Sequence, residues 1–413
     1  VSSNSPARGL EGFLAPSERW SEALAAEGFD VAAGIDLARA PEGWLEGDLQ
    51  RWRDWLSQGA HASMRFMEAN APARADARFI LEDARSALVV LVPYALGRNV
   101  RAPRVSRGSS ATSTGGEREP NASRDTSSGS NIEKDLPPGE RPLEGFVARY
   151  ARGDDYHKVI KKRLDAVARA MSEAGPAFTW RSVVDSIPFF DRAHAREAGL
   201  GFVGKNTMFI RPGLGSWFFV ATLLLDAPAE ALTAPDRASH ITELSCGTCR
   251  KCLDACPTGA LPRPYFLDAG RCLSYLTIEN RDLIPEEYLP YLRDTLYGCD
   301  ACQDACPYNL TTVDLVRVAR LREARVSLRE RTPRELAAMT PALYEAWFGG
   351  SAMTRAKYGG LVRNALCFLY AWRDDSLPAL LAARKGDTDP LVARTCAQLQ
   401  GLLAIGKQDL PSR

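Results

Sequence analysis

No cysteine occurs before Cys246 in this chain of 413 residues, and ten follow from there on. The longest strongly apolar run, Trp217 to Leu225, is nine residues, against about 20 for a membrane-spanning helix. Charge of one sign is missing as well: 52 Lys and Arg face 51 Asp and Glu, a net charge of +1. That balance excludes a histone-like polycation and a chain disordered throughout. The opening stretch, Val1 to Leu14, has neither a basic nor an apolar signal region, so no signal peptide is expected. No G-x-G-x-x-G follows a strand: Gly199, Gly201 and Gly204 come after a helix-like stretch, and a Rossmann nucleotide site is unsupported. What is present is ordinary globular composition, 45% hydrophobic and 25% charged, over a length suited to two or three domains of roughly 150 residues.

Trp20 to Gly28 and Leu45 to Gln58 carry helical apolar spacing, and Ala87 to Val92, closed by Pro93, reads as a buried strand. The texture then changes. From Gly97 to Leu143 there are eight Ser, six Gly and five Pro but no aromatic, and only five Val, Ile or Leu. Such a segment buries too little apolar area to offset its ordering entropy, so a disordered insertion over 97–143 is expected. Asp155 to Met171 reads as a basic amphipathic helix, with Lys158, Lys161, Lys162 and Arg163 in its first half. A strand over Arg181 to Asp185, a helix over Phe189 to Ala198, and strands at Phe209 to Arg211 and Trp217 to Leu225 follow. After Cys306 the pattern is helical: Leu315 to Arg331, Pro333 to Ala346, Leu361 to Trp372, Leu377 to Arg384 and Pro390 to Leu403. Paired helices of this length suggest a short HEAT-like repeat.

The cysteines carry the chemistry. Cys246, Cys249, Cys252 and Cys256, followed by Pro257, fit C-x2-C-x2-C-x3-C-P. A partial second copy runs Cys299, Cys302, Cys306 and Pro307, with Leu296 at its first position and the isolated Cys272 to supply the missing thiolate. In two-cluster ferredoxins the fourth cysteine of each run ligates the other cluster. That rule groups Cys246, Cys249, Cys252 and Cys306 on one [4Fe-4S] cluster and Cys256, Cys272, Cys299 and Cys302 on the other. Zinc also takes four cysteines, but usually from two spaced C-x2-C hooks rather than this run. Disulfides belong to short secreted domains and are not expected here. Cys367 and Cys396 sit in apolar helices without partner spacing and read as buried small hydrophobes. Asp155-Tyr156-His157 partly matches the D-x-H-x-x-G cobalamin loop, yet Ile160 stands where glycine belongs. His61, His194 and His240 form no pattern.

Several strings then identify a resemblance: Arg149-Tyr150-Ala151-Arg152-Gly153-Asp154-Asp155-Tyr156-His157, Val184-Asp185-Ser186-Ile187-Pro188, Ala198-Gly199-Leu200-Gly201-Phe202-Val203-Gly204-Lys205, Gly215-Ser216-Trp217-Phe218-Phe219, Arg271-Cys272-Leu273-Ser274-Tyr275-Leu276-Thr277-Ile278-Glu279 and Tyr297-Gly298-Cys299-Asp300. Together they resemble the epoxyqueuosine reductases, cobalamin and iron–sulfur enzymes that finish queuosine on tRNA. The chain departs from that family in the long insertion and in Ile187, where Ala is usual; neither touches a cluster ligand.

The resemblance implies an α+β chain with a cobalamin-binding catalytic α/β domain over 1–235, a ferredoxin-like module with two [4Fe-4S] clusters over 236–312, and a helical HEAT-like tRNA-binding domain over 313–413. It implies cob(II)alamin as cofactor, epoxyqueuosine-carrying tRNA and an unidentified electron donor as partners, a cytoplasmic monomer, and no membrane. The family's proton donor matches Asp185, which suits an oxirane oxygen that leaves poorly unless protonated. Val183, Val184, Ile187 and Phe189 are expected to surround it and keep it protonated. Cofactor contacts carried over by position are Arg74, Ala148, Tyr150, Asp185, Phe209, Val220, Ser274, Cys299 and Asp300.

A polyanionic substrate on a nearly neutral chain calls for local basic patches. Leu315 to Arg334 offers seven Arg against Glu323 and Glu330, and the Lys158 to Arg163 cluster is a second candidate. Two other readings are another corrinoid iron–sulfur reductase, such as a reductive dehalogenase, and a non-catalytic electron carrier. Bound cobalamin separates both enzymes from the carrier, and turnover of tRNA rather than an organohalide separates the enzymes.

Overall fold

The computed structural model describes residues 14–40, 43–95, 99–101, 136–237 and 244–406. Its centre is a six-stranded sheet in the order Trp180–Val183, Phe218–Leu225, Ser86–Pro93, Val31–Asp36, Leu14–Pro16, Thr233–Arg237. Every pairing in it is antiparallel, with Val90 opposite Ala221 and Val31 opposite Leu91. The connectivity is therefore α+β, as expected for the chain, and the N-terminal α/β part is built on an antiparallel sheet. An uninterrupted apolar run such as Ala87 to Val92 suits a central strand covered on both faces, and all eight residues of the strand Ser86–Pro93 are buried.

Its side chains alternate between two cores. Ala87, Val89 and Leu91 meet Phe189, Ala195 and Leu200, whereas Leu88, Val90 and Val92 meet Ile160, Leu164 and Val167. The latter three belong to the helix Tyr156–Glu173, whose buried positions Tyr156, Val159, Ile160, Leu164, Val167, Ala168 and Met171 repeat at three- and four-residue spacing. Burying each of its large aliphatic side chains contributes about 1.5–3 kcal/mol. Asp155 caps this helix by accepting from the His157 N–H.

Of the expected insertion, residues 97–98 and 102–135 lie outside the described residues. Its two ends are folded. Asn99–Arg101 pairs in parallel with Thr311–Val313, and short 3-10 turns at Pro138–Glu140 and Leu143–Phe146 bring Leu143 to complete burial. The boundary at Leu143 is thus corrected, because partners far along the chain hold these ends and local composition does not reveal them.

The single helix expected over Leu315 to Arg331 is two short ones, Ala319–Arg322 and Val326–Glu330. The chain at Arg152 to Asp154 docks across the break: Asp154 N–H donates to the Arg320 carbonyl, and Arg325 N–H donates to that of Arg152. A Cβ on Gly153 would lie 2.5 Å from the Arg320 carbonyl oxygen, so only glycine fits. Pro333 to Ala346 also divides, into Pro333–Ala338 and Pro341–Phe348, each capped by a threonine with proline in its first turn. The helix Lys357–Trp372 is buried on every side from Gly359 to Ala371. Its Arg363 guanidinium, fully buried, donates to the carbonyls of Leu276, Asn280 and Asp282 and to Asn364. Arg363 thereby ties the helical tail to the cysteine-bearing segment, and its loss would leave buried carbonyls unpaired at about 1–3 kcal/mol each. No described helix is long and apolar enough to cross a membrane.

His194 gives a pH-dependent stability. The ring is fully buried, stacked on Phe189 at 3.9 Å and edge-on to Trp44 at 5.0 Å. Burial penalises its charged form and lowers its pKa from 6.5 to about 4. Between those values the unfolded chain takes up a proton that the folded chain refuses. This group therefore removes stability as pH falls from 6.5 towards 4, up to about 3 kcal/mol, and is neutral above that window. In His194→Gln the loss of stability between pH 7 and pH 5, followed by urea unfolding, is expected to be smaller than in the wild type. An equal loss in both proteins would assign the acid sensitivity to other groups.

Candidate active site

A cavity of about 2740 Å3 opens between the sheet, the loops around Arg74 and Asp185, and the cysteine-bearing segment. It is several times the ~300–1,000 Å3 of a site for a drug-sized ligand. The cysteine-bearing segment is docked to the N-terminal part beside it: Trp55 Nε1 donates to the Leu267 carbonyl at 2.7 Å, and the Ser63 and Tyr275 hydroxyls share a hydrogen bond of 2.6 Å. At the cavity wall Arg355 holds Glu279 in two hydrogen bonds and lies 5.1 Å over the Phe66 ring.

Asp185 lies just past the strand Trp180–Val183, with φ +50°. A non-glycine residue in that region is uncommon and marks a side chain aimed by its surroundings. Its flanks do the aiming. Val183 and Phe189 are buried in one core and Val184 in the other, while Ile187 packs against the first. These apolar neighbours therefore anchor the loop instead of enclosing the carboxyl, which is exposed towards the cavity. The expected apolar jacket around Asp185 is corrected on this point. Tyr156 Oη donates to Asp185 Oδ2 at 2.6 Å, and burial together with the Asp185 charge pushes the phenol's pKa up, so it stays a donor. The Tyr156 ring is fixed by stacking on Phe219 at 4.1 Å and on His157 at 3.9 Å. His157 Nδ1 pairs with Asp155 at 2.9 Å, and its ring borders the cavity.

Of the cofactor contacts expected by resemblance, Arg74, Tyr150, Asp185, Phe209, Val220, Ser274, Cys299 and Asp300 all border this one cavity. Ala148 does not. It is buried beside Gly298, where a Cβ would lie 2.6 Å from its own, and its N–H donates to the Tyr297 carbonyl. Gly298, at φ +72°, lets the chain turn into Cys299. Asp300 accepts from the Arg149 N–H and guanidinium, both at 3.0 Å, while burial raises its pKa.

The eight clustered cysteines form two groups in space. Cys252 is affected by the charges of Cys246 and Cys306, and Cys306 by those of Cys246 and Cys249. For Cys302 burial comes first, followed by the charges of Cys299, Cys272 and Cys256 and then that of Cys252. The second group, Cys256, Cys272, Cys299 and Cys302, borders the cavity; the first does not. Among the described residues no three acidic, His or Cys side chains converge as they would around a single ion. Burial and mutual repulsion push the thiols of Cys252 to about 11 and Cys299 to about 12. Four thiolates so placed need positive charge between them, and N–H donors already face two of the sulfurs, Ala260 to Cys256 at 3.2 Å and Lys205 to Cys246 at 3.5 Å. The donor set fits polynuclear iron–sulfur centres. Cys367 and Cys396 are buried in the helical tail, apart from both groups.

Buried polar atoms without partners also face the cavity. Arg74 is only 7% exposed, its Nε has no partner, and its guanidinium lies 5.4 Å over Trp52, whose own Nε1 is unpaired. Unpaired buried donors are costly, and here they suit a large ligand carrying amide or carboxylate groups, as a corrin does. Sequence reasoning missed two residues of this site. Tyr156 stood within a quoted motif, but nothing linked it to an acid 29 residues on. Asp191, at the start of the helix Asp191–Glu197, looked like an ordinary first-turn acid, yet its Oδ1 is buried, unpaired and on the cavity wall.

The basic patches are mostly satisfied internally. Arg317 pairs with Asp30, Arg320 and Arg325 share Asp154, Arg331 pairs with Glu335, and Arg334 holds Asp374 and Glu140. Arg322 and Arg329 are exposed and have no ion-pair partner among the described residues.

With this geometry in hand, similarity to known proteins is informative. Residues 245–309 match the family described as 4Fe-4S double cluster binding domain, and residues 126–186 match the family described as epoxyqueuosine reductase QueG, DUF1730. The chain is 31% identical over 353 residues to the epoxyqueuosine reductase of Cellulophaga algicola, covering 84% of this chain and 97% of that one. It is 34% identical over 352 residues to that of a Synechococcus species, covering 84% and 94%. Among solved structures, a crystal structure of epoxyqueuosine reductase with a tRNA-Tyr epoxyqueuosine-modified stem loop superposes with a TM-score of 0.73 at 26% identity, covering 95% of this chain and 92% of that one.

Proposed function

The chain belongs to the epoxyqueuosine reductase family, and from that premise we propose that it reduces epoxyqueuosine to queuosine in tRNA, through two [4Fe-4S] clusters and cob(II)alamin. The observation that carries the proposal is one cavity bordered at once by Asp185 and by all four thiols of the second cysteine group. Cys246, Cys249, Cys252 and Cys306 would hold the outer cluster, and Cys256, Cys272, Cys299 and Cys302 the inner one. Arg74, Tyr150, Phe209, Val220, Ser274, Cys299 and Asp300 would border the corrin. When bound, these groups supply the two electrons of the reduction one at a time.

The remaining chemistry belongs to side chains. Asp185 donates a proton to the opening oxirane oxygen, and the Tyr156 hydroxyl, held by its stacked ring, fixes the carboxyl's position and favours its anion once the proton has left. Arg322 and Arg329, with the exposed Lys162, are free to meet phosphates, whereas Lys158 lies 3.9 Å from Asp155. The division at 1–235, 236–312 and 313–413 is part of the same proposal. It is supported by a sheet that closes with Thr233–Arg237 and by a helical tail packed around Lys357–Trp372.

Protein reconstituted anaerobically with iron, sulfide and cobalamin, given a low-potential reductant, is expected to convert epoxyqueuosine to queuosine in a tRNA stem loop. Fully loaded protein that leaves this substrate untouched while reducing an organohalide would overturn the assignment in favour of another corrinoid reductase.

A further inference from the structure

The string Ala198 to Lys205 supplies no side chain to the chemistry above, yet it ends against the outer cysteine group. Its last residues open a small hairpin in which Phe202–Val203 pairs with Phe209–Ile210. Phe202 and Ile210 share a core with Cys306, and Cys246 and Tyr308 pack against it. Lys205 stands at the start of the turn, and each of its polar groups is engaged. Its N–H donates to Cys246 Sγ at 3.5 Å, and its carbonyl accepts from the Tyr265 N–H at 2.9 Å. Its ammonium reaches over the ligand loop and donates to the carbonyls of Gly247 at 2.6 Å and Cys249 at 2.9 Å. Asn206, the next residue, donates its amide to the Cys302 carbonyl at 3.3 Å, so one turn touches both cysteine groups. Only the contact with the outer group carries charge. Among the described residues no carboxylate pairs with Lys205, which is half-buried. On the loop itself Arg250 lies 3.7 Å from Asp254, both well exposed, and Lys251 is exposed too, so water screens these charges.

We propose, resting on the function above, that Lys205 is a positioning residue of the outer cluster: it pins the loop from Cys246 to Cys249, and its charge eases one-electron reduction there. The outer group does not border the cavity. An external donor can therefore meet it without crossing the substrate's site, and easier reduction there favours entry of the electron. The step takes one electron from that donor, forms and breaks no bond, and moves no proton. Net charge and hydrogen bonds to the sulfurs set the potential of such centres. Reduction adds negative charge to a site that four thiolates already make negative. A fixed ammonium therefore stabilises the reduced form more than the oxidised one, and more so where water is partly excluded. The N–H bond to Cys246 Sγ acts in the same direction, but it belongs to the backbone and survives any side-chain substitution at 205. The effect of the ammonium can thus be read by itself.

Lys205→Gln keeps an amide that can donate to the loop but removes the charge, whereas Lys205→Arg keeps the charge. Protein reconstituted with iron and sulfide is titrated against redox mediators and followed by paramagnetic resonance. The outer signal is identified as the one that survives in Cys272→Ser. In Lys205→Gln the reduced-to-oxidised ratio of the outer cluster, at the wild-type midpoint, is expected to fall about tenfold, a shift of about 59 mV for one electron. The inner midpoint is expected to stay in place, and Lys205→Arg to restore the outer one. A fully loaded Gln variant with the wild-type outer midpoint would overturn the proposal, and so would an equal fall at both clusters, which a loosened fold would produce. If the Gln variant loses its outer irons, the loaded Arg variant decides: a wild-type midpoint supports the role of the charge, and a tenfold fall overturns it. Wild-type protein that loads both clusters and leaves epoxyqueuosine-tRNA untouched would sink the functional reading instead, with the midpoint shift still standing.

Discussion

Asp185→Asn is expected to lose about 10² to 10⁴ of the single-turnover rate on epoxyqueuosine-tRNA, the range usual for removing a general acid. The amide matches the carboxyl in volume, and its oxygen still accepts the Tyr156 hydroxyl that now stands at 2.6 Å. The loop keeps its anchors, because Val183, Val184 and Phe189 remain in their cores. What the variant cannot do is release a proton to an alkoxide, which is a poor leaving group without one. Both clusters and cobalamin are expected to load as in the wild type. The side chain borders the cofactor cavity, so cobalamin affinity must be measured and saturated before rates are compared. A saturated Asn variant with wild-type turnover would move the proton source to solvent.

Cys272→Ser is expected to abolish turnover altogether while sparing half of the metal. Cys272 lies apart from both cysteine runs and enters its group from the N-cap of the helix Leu273–Ile278, where its thiol is pushed up by burial. A serine hydroxyl at that depth is a much poorer iron ligand than a thiolate. The inner cluster, which borders the cavity, should therefore be lost or incomplete, with iron falling from about eight towards about four per chain. The outer group shares no ligand with Cys272, so its reduced-state paramagnetic signal should survive. Retention of eight irons in Cys272→Ser would reassign the fourth inner ligand, and stoichiometric zinc in place of iron would reject the cluster assignment.

The cysteine arithmetic was legible because ligand spacing is a local property: three thiols at three-residue intervals reach three of a cluster's four irons wherever the run is placed. The rule that the fourth cysteine crosses over, together with the stray Cys272, gives two groups of four, and the four cysteines of the second group all border the cavity. Buried strands were legible for a similar reason. Ala87 to Val92 is apolar without a break and Trp217 to Leu225 is apolar but for Thr222, and both supply strands of the sheet. Basic stretches were less informative. Seven arginines between Leu315 and Arg334 looked like a phosphate-binding helix, but most answer carboxylates such as Asp30, Asp154 and Asp374 from distant segments.

The sequence by itself determined the double-cluster class and the family, and it singled out Asp185 as the proposed acid, because each is written in residues that are neighbours along the chain. The tertiary structure alone decided what surrounds that acid. Its apolar neighbours in sequence turn away into two cores, since consecutive side chains around a strand end point to opposite faces. Tyr156, at the start of the helix Tyr156–Glu173, reaches it by a hydrogen bond of 2.6 Å. Burial depends on which groups meet in space, so the carboxyl of Asp191, a residue with nothing in its local sequence to mark it, has its pKa raised on the cavity wall.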